Sequence, residues 1–221
     1  MYNTLINLEP GEFKYEFTPF GNLKFNIKNF PYSIKEDEFN FIRSVIEKNN
    51  LKRGVEICTG VGISSLAAGL GFSKTSGKLL TIDAYIEESL ETPSYEDVNK
   101  QLYHEAIGYK SIQFLRNVFH LEENIYPEVG WSPDDTGRLI EKIFVKQKID
   151  YVFIDGGHFS YQIIKDINSV LPYLDDHFVL LLHDTYAFDD VVKNYLLSTF
   201  GKLHTVVVPI PNGEDLAIIQ K

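Results

Sequence analysis

The stretch from Arg53 to Ser65 constrains the fold more than any other part of this chain. Val55-Glu56-Ile57-Cys58 is a short apolar run carrying one acid. Thr59, Gly60, Val61 and Gly62 then form a turn, and Ser64-Ser65-Leu66-Ala67-Ala68 is compatible with a helix. Strand, tight glycine turn, helix is the opening unit of an open α/β sheet that takes a nucleotide-like ligand where its strands end. Glycine suits such a turn because the backbone must bend sharply and approach a ligand with no Cβ between them.

The rest of the chain repeats the alternation. Leu79 to Asp83 reads as a second strand ending in a carboxylate, and Asn124 to Val129 as a weaker third, interrupted by Pro127. Asp150 to Asp155 and Phe178 to Leu182 are continuous apolar runs, as strands of a parallel sheet covered on both faces require. Between and after them, Leu139/Ile140/Ile143/Phe144, Ile163/Ile164/Ile167/Val170/Leu171 and Val191 to Phe200 carry helical spacing. His204 to Val208 and Asp215 to Ile219 are separated by a segment too short for a crossover helix, which predicts an antiparallel hairpin. The expectation is one α/β domain over residues 1–221: a Rossmann-like, seven-stranded, mostly parallel sheet with helices on both faces and a C-terminal hairpin.

Ahead of the first strand, Ser33-Ile34-Lys35-Glu36 reads as a capping box opening a helix to about Asn49, with Phe39, Ile42, Val45 and Ile46 on its buried side. Residues 1–32 are rich in aromatics and are expected to form, with that helix, an N-terminal flap over residues 1–50. Residues 84–107 hold Glu87, Glu88, Glu91, Glu96, Asp97 and Glu105 against Lys100. That segment is either a lid over the ligand or a solvated acidic excursion.

Composition narrows the partner. The net charge is −10 and no basic cluster stands out, which speaks against nucleic acid and for a small molecule. Cys58 is the only cysteine, so no internal disulfide can form and a reducing cytoplasm fits. The first residues lack the basic and apolar regions of a signal peptide, and no run approaches a membrane span.

Polar residues collect where strands end. Asp83 suits a grip on a ribose diol, since two adjacent hydroxyls offer two donors to its two oxygens. Asp155 and Asp184 each follow a buried apolar strand and can converge, and paired carboxylates suit Mg²⁺. His158, three residues past Asp155 on a turn made by Gly156 and Gly157, can point into the cleft as a general base. His183 and His104 have no spacing that singles them out and read as structural.

From about residue 34 onward these motifs resemble the class I S-adenosylmethionine-dependent methyltransferases. Within that class the chain looks like small-molecule O-methyltransferases of the catechol type, and is closer to bacterial enzymes resembling macrocin O-methyltransferase and the cephalosporin-hydroxylase group. The resemblance implies that Glu56, Cys58, Thr59, Gly60, Gly62 and Ser64 lie by the methionine part of S-adenosylmethionine. Asp83 and Ala84 would lie by the ribose, and Trp131 and Ser132, in Val129-Gly130-Trp131-Ser132, by the adenine. Asp-Gly-Gly-His from Asp155 to His158, with the later His183-Asp184-Thr185, is the most specific match. It implies that Asp155, Asp184 and Thr185 hold Mg²⁺ while Asp155 also borders the cofactor, and that His158 is the catalytic base, with Asp155 beside it.

Three positions depart from the pattern. Cys58 replaces the first glycine, where only a small side chain is expected to be needed. Thr185 stands where Asn or Asp is usual, and His183 where some relatives carry a carboxylate. The acceptor is expected to be a hydroxylated small molecule (a sugar, glycoside or phenol), and a homodimer is left open. Two other readings remain. One is a non-catalytic protein that keeps the cofactor fold. The other is an NAD(P)-dependent oxidoreductase, against which Cys58 and Ser65 occupy the outer glycine positions of that fingerprint.

Overall fold

The structure, a computed structural model, describes residues 34–84, 109–201, 205–208 and 216–220. The aromatic N-terminal segment, nearly all of the acidic insertion and the turn between the last two strands lie outside the described residues.

The strands are β1 (Arg53–Ile57), β2 (Lys78–Asp83), β3 (Ile125–Val129), β4 (Ile149–Ile154), β5 (Leu174–Leu182), β6 (Thr205–Val208) and β7 (Leu216–Gln220). The helices are α1 (Glu36–Lys48), α2 (Ile63–Thr75), α3 (Tyr109–Val118), α4 (Thr136–Phe144), α5 (Ser160–Val170) and α6 (Asp190–Phe200). The sheet runs β3-β2-β1-β4-β5-β7-β6, with β7 antiparallel to both its neighbours and the other pairings parallel. The expected mostly parallel sheet with a C-terminal antiparallel pair is what forms.

Strand alternation divides the core. Tyr151, Phe153, Val179 and Leu181 face α1, α2 and α3, whereas Val152, Ile154, Leu180 and Leu182 face α4, α5 and α6. β3 tolerates Pro127 because it is an edge strand, where a missing N–H need not break a ladder.

Two boundaries differ from the sequence reading. α1 opens at Glu36 with Lys35 as its N-cap, and Glu38 rather than Glu36 reaches back to accept the Lys35 N–H. β5 starts at Leu174, before the apolar run, because Asp175, Asp176 and His177 sit on its solvent-exposed approach.

The chain winds from β1 through β2 to β3 on one side and through β4 to β5 on the other. The crevice outside the carboxyl ends of β1 and β4 is therefore the switch point, where ligands of open α/β sheets bind. Hydrogen bonds carry the ladder one step past the strand ends: Cys58 N to Ile82 O at 2.9 Å, Asp155 N to Ile57 O at 3.2 Å and His183 N to Ile154 O at 3.0 Å. This places Cys58, Asp155 and His183 on one line at the crevice floor.

Candidate functional site

The turn after β1 is built from residues in left-handed conformation. Cys58 has φ +73°, Gly60 +52° and Gly62 +86°, and Gly62 caps α2. The position of Cys58 thus asks for more than a small side chain, since it asks for a conformation that L-residues with a Cβ rarely adopt. Among the described residues, a Cβ on Gly60 would meet nothing within 4 Å, so they leave the space above that backbone open to a ligand. Burial first, then nearby Asp83, Asp155 and Glu56, push the Cys58 thiol up, so it stays protonated.

Two acids flank this turn. Asp83 Oδ2 accepts the Gly60 N–H at 2.9 Å, which ties the end of β2 to the glycine turn. Ala84 follows it, half-buried. Glu56 lies beneath the turn, fully buried. Its Oε2 accepts the Ser65 hydroxyl, while Oε1 is buried without a hydrogen-bond partner among the described residues. Burial raises the Glu56 carboxyl to about 7, although the hydroxyls of Ser64, Ser65 and Thr81 pull it back. Thr59 shares a 2.6 Å hydrogen bond with Thr81, and Ser64 is buried in the first turn of α2. Ser65 and Thr81 were not foreseen. Their signal was only that a hydroxyl follows Ser64 and that another sits mid-strand in β2, directly paired with Glu56 in register.

The loop after β3 is held from below. Ser132 Oγ donates to Asp166, which also accepts from Gln162. The Ser132 hydroxyl therefore faces the α5 side, while the Trp131 ring is exposed. Burial pushes the Asp166 carboxyl up, and the Ser132 and Gln162 bonds oppose that.

The catalytic-type residues converge across the ends of β4 and β5. His158 Nε2 lies 2.8 Å from Asp184 Oδ2. Asp155, His158 and Asp184 each bring a ligand-type atom within 4.8 Å of the others. Thr185 opens a short 3₁₀ turn, Thr185–Ala187, for which Asp184 is the N-cap at φ +53°. Backbone in that region is costly for a non-glycine residue and persists where its surroundings hold it, as at active sites.

At the centre is a residue the sequence reading set aside. His183 Nδ1 lies 3.1 Å from Asp155 Oδ1 and 3.2 Å from Asp184 Oδ1, and its Nε2 lies 2.8 Å from Glu38 Oε1. Burial opposes a charge on this ring, but the three carboxylates outweigh it and push His183 up to about 12. Asp184 is held below its usual range: burial raises it, and His183 and His158 more than reverse that. Glu38 is fully buried and comes from α1, far away in sequence, where its helical spacing gave no functional signal.

The residues can be tested against the two groups expected here. A ligand with a cationic group and a ribose diol fits: the partnerless Glu56 Oε1 lies under the turn, Gly60 leaves its backbone approachable, and Asp83 stands at the end of β2. Mg²⁺ does not fit between the aspartates as these side chains stand, since it is held by free carboxylate oxygens with waters completing its octahedron. Here an oxygen of each aspartate faces His183, the other oxygen of Asp184 faces His158, and the third convergent donor is an imidazole nitrogen.

Comparison with known proteins agrees with this architecture. Residues 55–185, more than half of the 221, match a family described as a methyltransferase domain. No curated protein sequence matches the chain. Among solved structures, an O-methyltransferase from Bacillus cereus in complex with SAH is 12% identical, with 88% of this chain and 86% of that one covered at a TM-score of 0.60. The O-methyltransferase TomG from Streptomyces achromogenes, in complex with SAM, is 15% identical over 86% of this chain and 82% of that one, at 0.59. Cofactor-bound Rv0187 from MTB is 14% identical over 86% and 81%, at 0.61. At these identities the likeness is one of fold, and it is the family match over β1 to the end of β5 that decides: the chain belongs to the methyltransferase-domain family.

Proposed function

We propose that this protein transfers a methyl group from S-adenosylmethionine to a hydroxyl of a small molecule, with His158 as general base. The observation that carries this is the His158–Asp184 pair, 2.8 Å apart at the switch point, with the His158 side chain 54% exposed.

S-adenosylmethionine, when bound, supplies an electrophilic methyl group. Glu56, the turn from Cys58 to Gly62, Ser64, Asp83, Ala84, Trp131, the Ser132 backbone and Asp155 form the strip that would hold it. With Nε2 facing the Asp184 carboxylate, that nitrogen carries the ring proton and Nδ1 keeps its lone pair. Nδ1 is then the atom that takes the acceptor's proton, while Asp184 orients the ring and stabilises the imidazolium that forms, as the carboxylate does in a nucleophile–histidine–acid arrangement. Mg²⁺ has no part in this scheme.

The acceptor reading rests on side chains around His158. Tyr186 meets the His158 ring edge-on with centroids 6.4 Å apart, and Phe159 stacks on Tyr161 at 5.9 Å. All three aromatics are exposed. Flat apolar rings beside a base suit an acceptor with a flat or ring-shaped apolar face, such as a phenol or a glycoside.

Titration calorimetry with S-adenosylhomocysteine tests the cofactor, and a methyl-transfer screen over phenols and glycosides tests the acceptor class. Micromolar binding followed by transfer to either class supports the proposal. No binding of S-adenosylhomocysteine defeats it.

A further inference from the structure

Both ring nitrogens of His183 face carboxylate oxygens: Nε2 faces Glu38, and Nδ1 faces Asp155 and Asp184 together. A neutral imidazole has only one N–H to give, whereas ionised carboxylates only accept. An arrangement that satisfies both sides of the ring therefore needs hydrogen on both nitrogens. The ring is nearly closed off from solvent and packs against Phe153 at 6.1 Å. A fixed cation thus sits between the two aspartates that end β4 and β5.

We propose that His183, clamped by Glu38, occupies the role a divalent cation would play between Asp155 and Asp184, so that methyl transfer by this protein needs no metal. This rests on the methyltransferase reading above. In it, His183 and Glu38 are positioning residues. Their charge holds the two aspartates together, which fixes Asp184 against His158. A divalent cation bridging the two aspartates must displace His183 or His158 from an oxygen of Asp184.

The test uses the full chain, and its first arm does not depend on activity. Mn²⁺ accepts nitrogen as well as oxygen donors, so it is a more demanding probe than Mg²⁺. Titration of the purified protein with Mn²⁺, followed by electron paramagnetic resonance with and without S-adenosylhomocysteine, is expected to show no stoichiometric site. A single site in the wild type that disappears in Asp184→Asn overturns the proposal.

The second arm measures transfer in EDTA. The rate is expected to change by less than about twofold, whereas a loss of about tenfold or more that Mg²⁺ restores overturns the proposal. The third arm is Glu38→Gln, which is expected to lower kcat about tenfold with S-adenosylhomocysteine affinity unchanged, because it releases the clamp without touching the cofactor strip. Unchanged kcat in a folded Glu38→Gln protein removes Glu38 from the mechanism. Should that variant not fold, the Mn²⁺ arm still decides. Failure to bind S-adenosylhomocysteine at all would instead strike the parent reading and leave the Mn²⁺ result interpretable.

Discussion

Glu38 and His183 are 145 positions apart and meet at 2.8 Å, joining the first turn of α1 to the end of β5. The pair is almost solvent-free, and its ring also faces Asp155 and Asp184. His183 is raised from 6.5 to about 12, so its contribution to stability is complete below about pH 6.5 and is lost progressively as pH rises toward 12. Across pH 6 to 10 the ring should therefore stay doubly protonated, and its ¹⁵N resonances should not titrate. A midpoint inside that range would contradict this. Breaking the pair with Glu38→Gln leaves a buried charge with one fewer partner and should cost about 3 kcal/mol, read by urea denaturation.

Glu56 gives a pH dependence of the other sign. Its folded value of about 7 lies above the ordinary 4.5, so the folded state holds a proton that the unfolded chain has released. Its contribution therefore turns unfavourable as pH rises from about 4.5 to about 7. At about 1.4 kcal/mol per pH unit the total is of the order of 3 kcal/mol. Glu56→Gln should flatten this decline and be the more stable protein above pH 7. In the wild type, S-adenosylhomocysteine affinity should increase through about pH 7, as the carboxylate that would face the ligand's amino group ionises. An affinity that is flat between pH 6 and 8 would remove Glu56 from cofactor binding.

His158 is the residue on which the chemistry depends. His158→Ala should reduce turnover by about 10²-fold or more, the scale of a general-base contribution, while S-adenosylhomocysteine binds as before. Asp184→Asn keeps the shape but can present an amide to Nε2, which selects the wrong ring tautomer and should also lower kcat more than KM. Wild-type turnover in a folded His158→Ala protein would exclude His158 as the base.

The parts of this site that are local in sequence could be read from it, and those made by distant contacts could not. The turn from Cys58 to Gly62, Asp83, and the Asp155, His158 and Asp184 set all lie at strand ends, where apolar runs stop and a shared edge follows from topology. Glu38 could not be read, because one acid in the first turn of an amphipathic helix looks like any other acid favouring a helix N-terminus. His183 was set aside because a histidine after an apolar strand gains meaning only from what packs over it. The hydrogen bond from the Ser132 hydroxyl to Asp166 could not be read for a related reason: its partner lies thirty-four positions away.

Cys58 offers the last test, and its sign separates two costs. At φ +73° a residue with a Cβ carries about 1–2 kcal/mol of strain that glycine does not. Its thiol is mostly buried, so removing it also gives up some favourable packing, of the order of 1 kcal/mol. Glycine also lowers stability by widening the unfolded ensemble, by about 0.5–1 kcal/mol. These terms nearly cancel, so Cys58→Gly should change stability by less than about 1 kcal/mol in urea denaturation. Cys58→Val isolates the backbone term, because a β-branched side chain keeps the apolar contact but tolerates positive φ least. It should lose about 2 kcal/mol or more and weaken S-adenosylhomocysteine binding, since the turn must shift to relieve it. A Cys58→Val protein as stable as the wild type would mean that the turn carries no strain at this position.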